Sequence, residues 1–189
     1  MSAEKNALRR ELRDRAAKLT EDYRRASDAA IRRLILDYDA WRSAKAVFVY
    51  VSMWTEPDTR ALLEDALASG KALYVPLCRP GGLLEAVRIR GVGELRPGTL
   101  SIPEPPEDGE RAGEDTIDLA LVPCVGAARD GRRLGHGAGY YERFLASRRC
   151  RTMGLCYEQL LCEFVPTDGH DVRMDAVVTE NGIYEKTAE

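Results

Sequence analysis

Ala46-Val-Phe-Val-Tyr-Val51 is an unbroken apolar run with no polar alternation. A strand wetted on one face alternates apolar and polar residues. A run like this is buried on both faces, as an inner strand of a parallel sheet is. Lys71–Pro76, Asp118–Pro123, Thr152–Tyr157 and Asp175–Thr179 read as further short strands. The stretches between several of them have helical character. Strands alternating with helices predict an α/β domain with a largely parallel sheet, and 189 residues suit a single domain spanning 1–189.

The chain opens with helix-forming residues over 3–19, where Leu8, Leu12 and Ala16 make one apolar stripe. Lys5 and Arg9, also four apart, are expected on another face; from this helix alone they read as a solvated pair. Thr20 before Glu21 and Asp22 marks a second helix, to about Tyr38, with Ile31, Leu34 and Ile35 inward. A helix following the 46–51 strand should end at Ser69, closed by Gly70. Residues 83–90 read as an edge strand. Residues 91–113, rich in Gly, Pro and Glu, read as a long loop of the kind that walls a pocket, with Ile102-Pro-Glu-Pro105 stiffened by its prolines. A helix is expected over 139–147, a helical turn over 158–163, a polar connection through Asp168, His170 and Asp171, and a turn at 180–182.

A formal charge of −3 argues against a general nucleic-acid binder. No apolar run approaches a membrane span, and the first residues lack the apolar centre of a signal peptide, so a cytoplasmic protein without membrane attachment is expected. Cys78, Cys124, Cys150, Cys156 and Cys162 are odd in number and none forms a CxxC pair, which predicts reduced thiols. Cys124, just before the glycine-rich loop, has to be considered as a nucleophile. No neighbour in sequence would lower its pKa, and an apolar filler is the better reading.

Chemistry concentrates at Arg129–Phe144, where four glycines lie among basic and aromatic residues between a strand and a helix. Glycine lets backbone approach a ligand closely, and free N–H groups at a helix start attract anions. The spacing is neither a Walker loop, lacking GK[ST], nor a dinucleotide fingerprint, which follows a first strand. Arg132 and Arg133 add guanidinium donors, Tyr140 and Tyr141 add flat faces, and Glu142 adds an oxygen ligand suited to Mg²⁺. Asp175 is a candidate second metal ligand, with Asp168 and Asp171 as competitors; His136 and His170 are expected as polar contacts. Glu56, in the loop after the first strand, is either a crevice residue or a helix-dipole partner.

The stretch Arg133–Arg143, Arg-Leu-Gly-x-Gly-x-Gly-Tyr-Tyr-acid-Arg, resembles the signature of the 5-formyltetrahydrofolate cyclo-ligases, also called methenyltetrahydrofolate synthetases. Lys5-x-x-Leu-Arg9, Val51-Ser-Met with Glu56, Ile102–Pro105, Gly154-x-x-Tyr-x-Gln159, Pro166, His170-Asp171 and Asp175-x-Val-Val-Thr-Glu180 resemble other family motifs in order. The resemblance implies a Rossmann-like three-layer sandwich with N-terminal helices. It implies an enzyme that uses ATP and Mg²⁺ to convert 5-formyltetrahydrofolate into 5,10-methenyltetrahydrofolate; a monomer without nucleic-acid partners is expected. It also implies that Lys5, Arg9 and Arg133 serve the ATP phosphates as the catalytic cations. Arg133, Leu134, Gly135, His136, Gly137, Ala138, Gly139, Tyr140 and Tyr141 would form the nucleotide loop. Val51, Glu56 and the segment His136, Gly137, Ala138, Gly139, Tyr140 would border the folate, and Glu142 with Asp175 would hold Mg²⁺. Two positions depart from the family pattern. Glu142 stands where Asp is usual, and Ala138 where Gly or Lys is common. A folate- or nucleotide-binding relative without turnover is the alternative these departures support.

Overall fold

The computed structural model describes residues 3–98 and 102–186. Three helices come first, α1 (Ala3–Ala17), α2 (Glu21–Asp37) and α3 (Asp39–Ser43), then β1 (Ala46–Val49), α4 (Arg60–Ala68), β2 (Ala72–Arg79) and β3 (Leu83–Ile89). A small hairpin, β4 (Arg96–Pro97) with β5 (Pro103–Glu104), lies within the expected long loop, whose residues 99–101 fall outside the described ones. There follow β6 (Leu119–Pro123), a second small hairpin of β7 (Gly126–Ala127) and β8 (Arg133–Leu134), α5 (Tyr140–Ala146), β9 (Arg151–Leu155), β10 (Ala176–Thr179) and β11 (Gly182–Glu185).

Seven strands form the main sheet in the order β11-β10-β9-β6-β1-β2-β3. The five inner strands run parallel, and β3 and β11 close the edges antiparallel. Side chains alternate between the two faces as the period of a strand requires. Val47, Val49, Leu73, Val75, Leu119 and Leu121 pack beneath the first four helices. Ala46, Phe48, Tyr74, Ala120 and Val122 meet Phe144 and Leu145 of α5 on the other side. Both faces are covered, so the 46–51 run is buried throughout. This is the expected three-layer α/β architecture.

Strand order reverses at β1: β2 lies on one side of it and β6, then β9, on the other. In an open α/β sheet the crevice beyond the carboxyl ends of strands at such a point is where a ligand fits. The loops leaving β1 and β6 both open there.

Helix α1 differs from expectation in which face it buries. Lys5 and Arg9 are 5% and 8% exposed, on the same inward face as Leu12 and Ala16. The spacing 5, 9, 12, 16 is a helical stripe in its own right, so the two cations belong to the packed side. Helix α2 begins as its sequence indicates, with the Thr20 hydroxyl accepting the Tyr23 N–H at 3.2 Å. None of the described helices is long and apolar enough to cross a membrane.

The β7–β8 hairpin turns at Gly131, where φ is +91° and a Cβ would lie 2.3 Å from the Met174 carbonyl oxygen. Gly131→Ala should therefore cost roughly 3 kcal/mol, since it combines left-handed strain with a backbone clash. Gly70 also has positive φ, but open space around it. Gly70→Ala should cost only about 1 kcal/mol. Denaturant melts of the pair test the clash, and equal losses would refute it.

Candidate active site

The loop after β1 is folded by its own hydrogen bonds. Thr59 Oγ1 donates to the Tyr50 carbonyl at 2.6 Å, and the Tyr50 hydroxyl to the Pro57 carbonyl at 2.8 Å. This turns Glu56 inward, where it is 4% exposed. Its Oε2 accepts the Met53 N–H at 2.8 Å, and its Oε1 lies 2.8 Å from His136 Nε2 in the glycine-rich loop. One carboxylate thus ties together the two loops at the crevice.

Within the glycine-rich loop, Gly137 and Gly139 have φ of +106° and +73°, values that only glycine adopts without strain. Arg133, on β8, is buried beside it. Its Nη1 donates to the Pro123 carbonyl at 2.9 Å and its Nη2 pairs with the Glu142 carboxylate. The guanidinium lies 5.4 Å from the Tyr141 ring centroid. Its Nε is buried with no acceptor among the described residues. Arg143 anchors the loop from outside, donating to the Ala138 carbonyl at 2.6 Å and the Gly82 carbonyl at 2.7 Å.

Helix α1 lies across the loop, with Arg9 Nε donating to the Gly135 carbonyl at 2.8 Å. Lys5 Nζ pairs with Asp168 at 2.8 Å and with Asp171. Burial pulls the Lys5 ammonium pKa down, but the two carboxylates outweigh it and raise the value, so the group stays charged.

Two cavities meet at the loop. A polar cleft of about 690 Å³ is lined by Lys5, Arg9, Asp168, His170 and Asp171. A more apolar pocket of about 400 Å³ is lined by Tyr50, Val51, Met53, Leu84, Ile102 and Tyr140. Arg133, Gly135, Gly137, Gly139 and Glu142 border both, so the glycine-rich loop is the wall between them. Lining side chains and wall together offer cations for an anion on one side and flat apolar contact on the other.

Most of the expected site residues gather here. Leu134 faces the polar cleft; Glu56, His136, Ala138 and Tyr141 face the apolar pocket. Tyr141 is less free than its sequence suggests, packing edge-on to Phe48 with centroids 6.4 Å apart. Arg132 turns away, pairing with Asp130 at 2.7 Å and lying over Phe164. Asp175 also stands apart. It immediately precedes β10, and its carboxylate accepts the Thr152 N–H and hydroxyl at 2.8 and 2.9 Å. That is the amino-terminal edge of the parallel strands, whereas Glu142 follows the carboxyl end of β6. The acids that share the polar cleft with Glu142 are Asp168 and Asp171, the competitors for the metal role. Cys124 is buried and its thiol is pushed up to about 12 by burial, which removes the nucleophile reading. Arg13, Cys78 and Leu84 also line the apolar pocket, where no role is expected of them from sequence. Arg13 continues the four-residue spacing of Lys5 and Arg9, a signal the sequence did carry; the others reach the pocket only through tertiary packing.

The sequence pattern of the 5-formyltetrahydrofolate cyclo-ligase family matches residues 1–180. The chain is 27% identical over 196 residues to the 5-formyltetrahydrofolate cyclo-ligase of Mus musculus, covering 96% of each protein. It is 33% identical over 147 residues to that of Mycolicibacterium smegmatis, covering 72% of this chain and 74% of the relative. The NMR structure of Aquifex aeolicus 5,10-methenyltetrahydrofolate synthetase superposes with a TM-score of 0.85 at 28% identity, covering 98% of this chain and 94% of that one.

Proposed function

This chain belongs to the 5-formyltetrahydrofolate cyclo-ligase family, and from that premise we propose that it closes 5-formyltetrahydrofolate to 5,10-methenyltetrahydrofolate, driven by ATP. The observation that carries this reading is the shared wall: a cationic cleft and an apolar pocket separated by one glycine-rich loop. Such a wall lets a phosphoryl donor on one side meet an acceptor oxygen on the other. The triphosphate lies in the cleft against Lys5, Arg9 and Arg133, and the pterin in the pocket near Glu56. The formyl oxygen attacks the γ-phosphorus and ADP leaves. The formyl carbon, now bearing a phosphate leaving group, is attacked by N10. Phosphate departs with the former formyl oxygen, and N10 loses its proton. The protein's part is positioning and charge neutralisation.

The cleft's donors suit a hard divalent cation, and Glu142 with Asp171 takes the place expected of Glu142 with Asp175. Glu142 and Asp171 both line the cleft, and one or two protein carboxylates would suffice to hold Mg²⁺ there. When bound, the cation offsets the charge of the phosphates. Asp171→Asn should then raise the Mg²⁺ concentration for half-maximal rate by about tenfold, and Asp175→Asn should leave it nearly unchanged. The reverse order would return the metal to Asp175.

The reading as a whole is tested by following methenyltetrahydrofolate absorbance from 5-formyltetrahydrofolate with and without Mg-ATP. Product and ADP should appear together and only with ATP. Absence of both at high enzyme concentration would sink the proposal in favour of a binding relative.

A further inference from the structure

Helix α1 carries a third cation in step with the first two. Lys5, Arg9 and Arg13 follow at four-residue intervals, each about 6 Å further along the axis. Lys5 and Arg9 line the polar cleft, while Arg13 lines the apolar pocket beyond the glycine-rich wall. The row therefore crosses from one compartment to the other. Arg13 is exposed, and no described acceptor holds its guanidinium. The other guanidinium on that pocket, Arg133, is buried in the wall beside Glu142 and Pro123 and is the one proposed for the ATP phosphates.

The folate proposed for this pocket is bipolar. Its bicyclic end is uncharged and suits the faces of Tyr50, Val51, Met53 and Leu84. Its other end is a glutamate with two carboxylates, which an apolar interior does not accept without a partner. A neighbouring groove of about 640 Å³ beside Trp54 offers Arg24 and Arg60, but both are engaged. Arg24 donates to the Trp54 and Ala16 carbonyls, and Arg60 pairs with Asp58. Asp28, Asp58 and Glu64 also line that groove and repel an anion.

Resting on the proposed function, we infer that Arg13 binds a carboxylate of the substrate's glutamate tail and so orients the folate with its ring end inward. A planar guanidinium matches a carboxylate with two parallel hydrogen bonds. The contact is at an exposed mouth, which limits its strength.

Arg13→Ala should raise the KM for 5-formyltetrahydrofolate about fivefold to tenfold, with kcat at saturation and the KM for ATP little changed. Arg13→Lys should recover part of the loss. With 5-formyltetrahydropteroate, which lacks the glutamate, wild type and Arg13→Ala should have the same KM. An equal KM for the full substrate in both proteins overturns the inference. So does the same increase with the truncated substrate, or an increase confined to ATP. Should the wild type fail to turn over, the enzymatic reading fails separately. Calorimetric binding of the two folates to wild type and variant then decides Arg13 by the same comparison. Alanine at this exposed helical position keeps the fold, having the higher helix propensity.

Discussion

Arg133→Ala is expected to lower kcat for cyclisation by about 10³-fold, the scale seen when a fixed donor to a developing charge is removed. Three things change together. The triphosphate proposed for the cleft loses a buried guanidinium at the wall between the compartments. The Pro123 carbonyl loses its donor, and Glu142 loses its ion partner. The last two should cost about 3 kcal/mol of stability, because a carboxylate left unpaired in a partly buried place is costly. Adding Glu142→Ala should restore part of the melting temperature and none of the rate, which separates folding from chemistry. Arg133→Lys should rescue poorly, since an ammonium cannot span both partners as the guanidinium fork does. A kcat within tenfold of wild type in Arg133→Ala would mean that the triphosphate does not use this residue.

Glu56→Ala should act on the other substrate. A loss of about 10³-fold in kcat/KM for the folate is expected, because a pocket built to hydrogen-bond its ligand discriminates strongly once the partner is gone. The KM for ATP should move little, as Glu56 borders the apolar pocket and not the polar cleft. Glu56→Gln keeps an acceptor for the Met53 N–H but gives up the charge facing His136. It should therefore hold the loop and still bind folate weakly. Equal folate kinetics in wild type and Glu56→Ala would place the pterin elsewhere.

The sheet was readable because inner parallel strands leave a continuous apolar run, and all five inner strands were marked by sequence within a few residues. The small hairpins were not readable. A two-residue strand such as β7 or β8 has no periodicity, and it forms because Leu134 and Ala127 find tertiary partners. Strand β11 was missed for a related reason: Ile183 and Tyr184 alone carry its apolar character. The glycine-rich loop declared itself through residue type, since glycine at Gly137 and Gly139 answers to backbone geometry rather than to packing. Its partners depended on topology. Lys5 and Arg9 look solvated on an isolated helix and are buried only because α1 lies on the loop. Asp175 looks like a metal ligand from its residue type, but strand direction puts it at the opposite end of the parallel strands from Glu142.

The Lys5 clip has a consequence for how the protein is made. It joins positions 163 and 166 residues apart, from the first helix to the segment before the last inner strand. During synthesis Lys5 of α1 emerges 163 residues before Asp168, and only with Asp168 does the polar cleft gain its second side. Contacts this distant in sequence form late, after the local ones. A nascent chain stalled before Asp168 can assemble β1, β2 and β6 and still present only half of a cleft. Nucleotide capture would then follow the appearance of Asp168 and Asp171 rather than precede it.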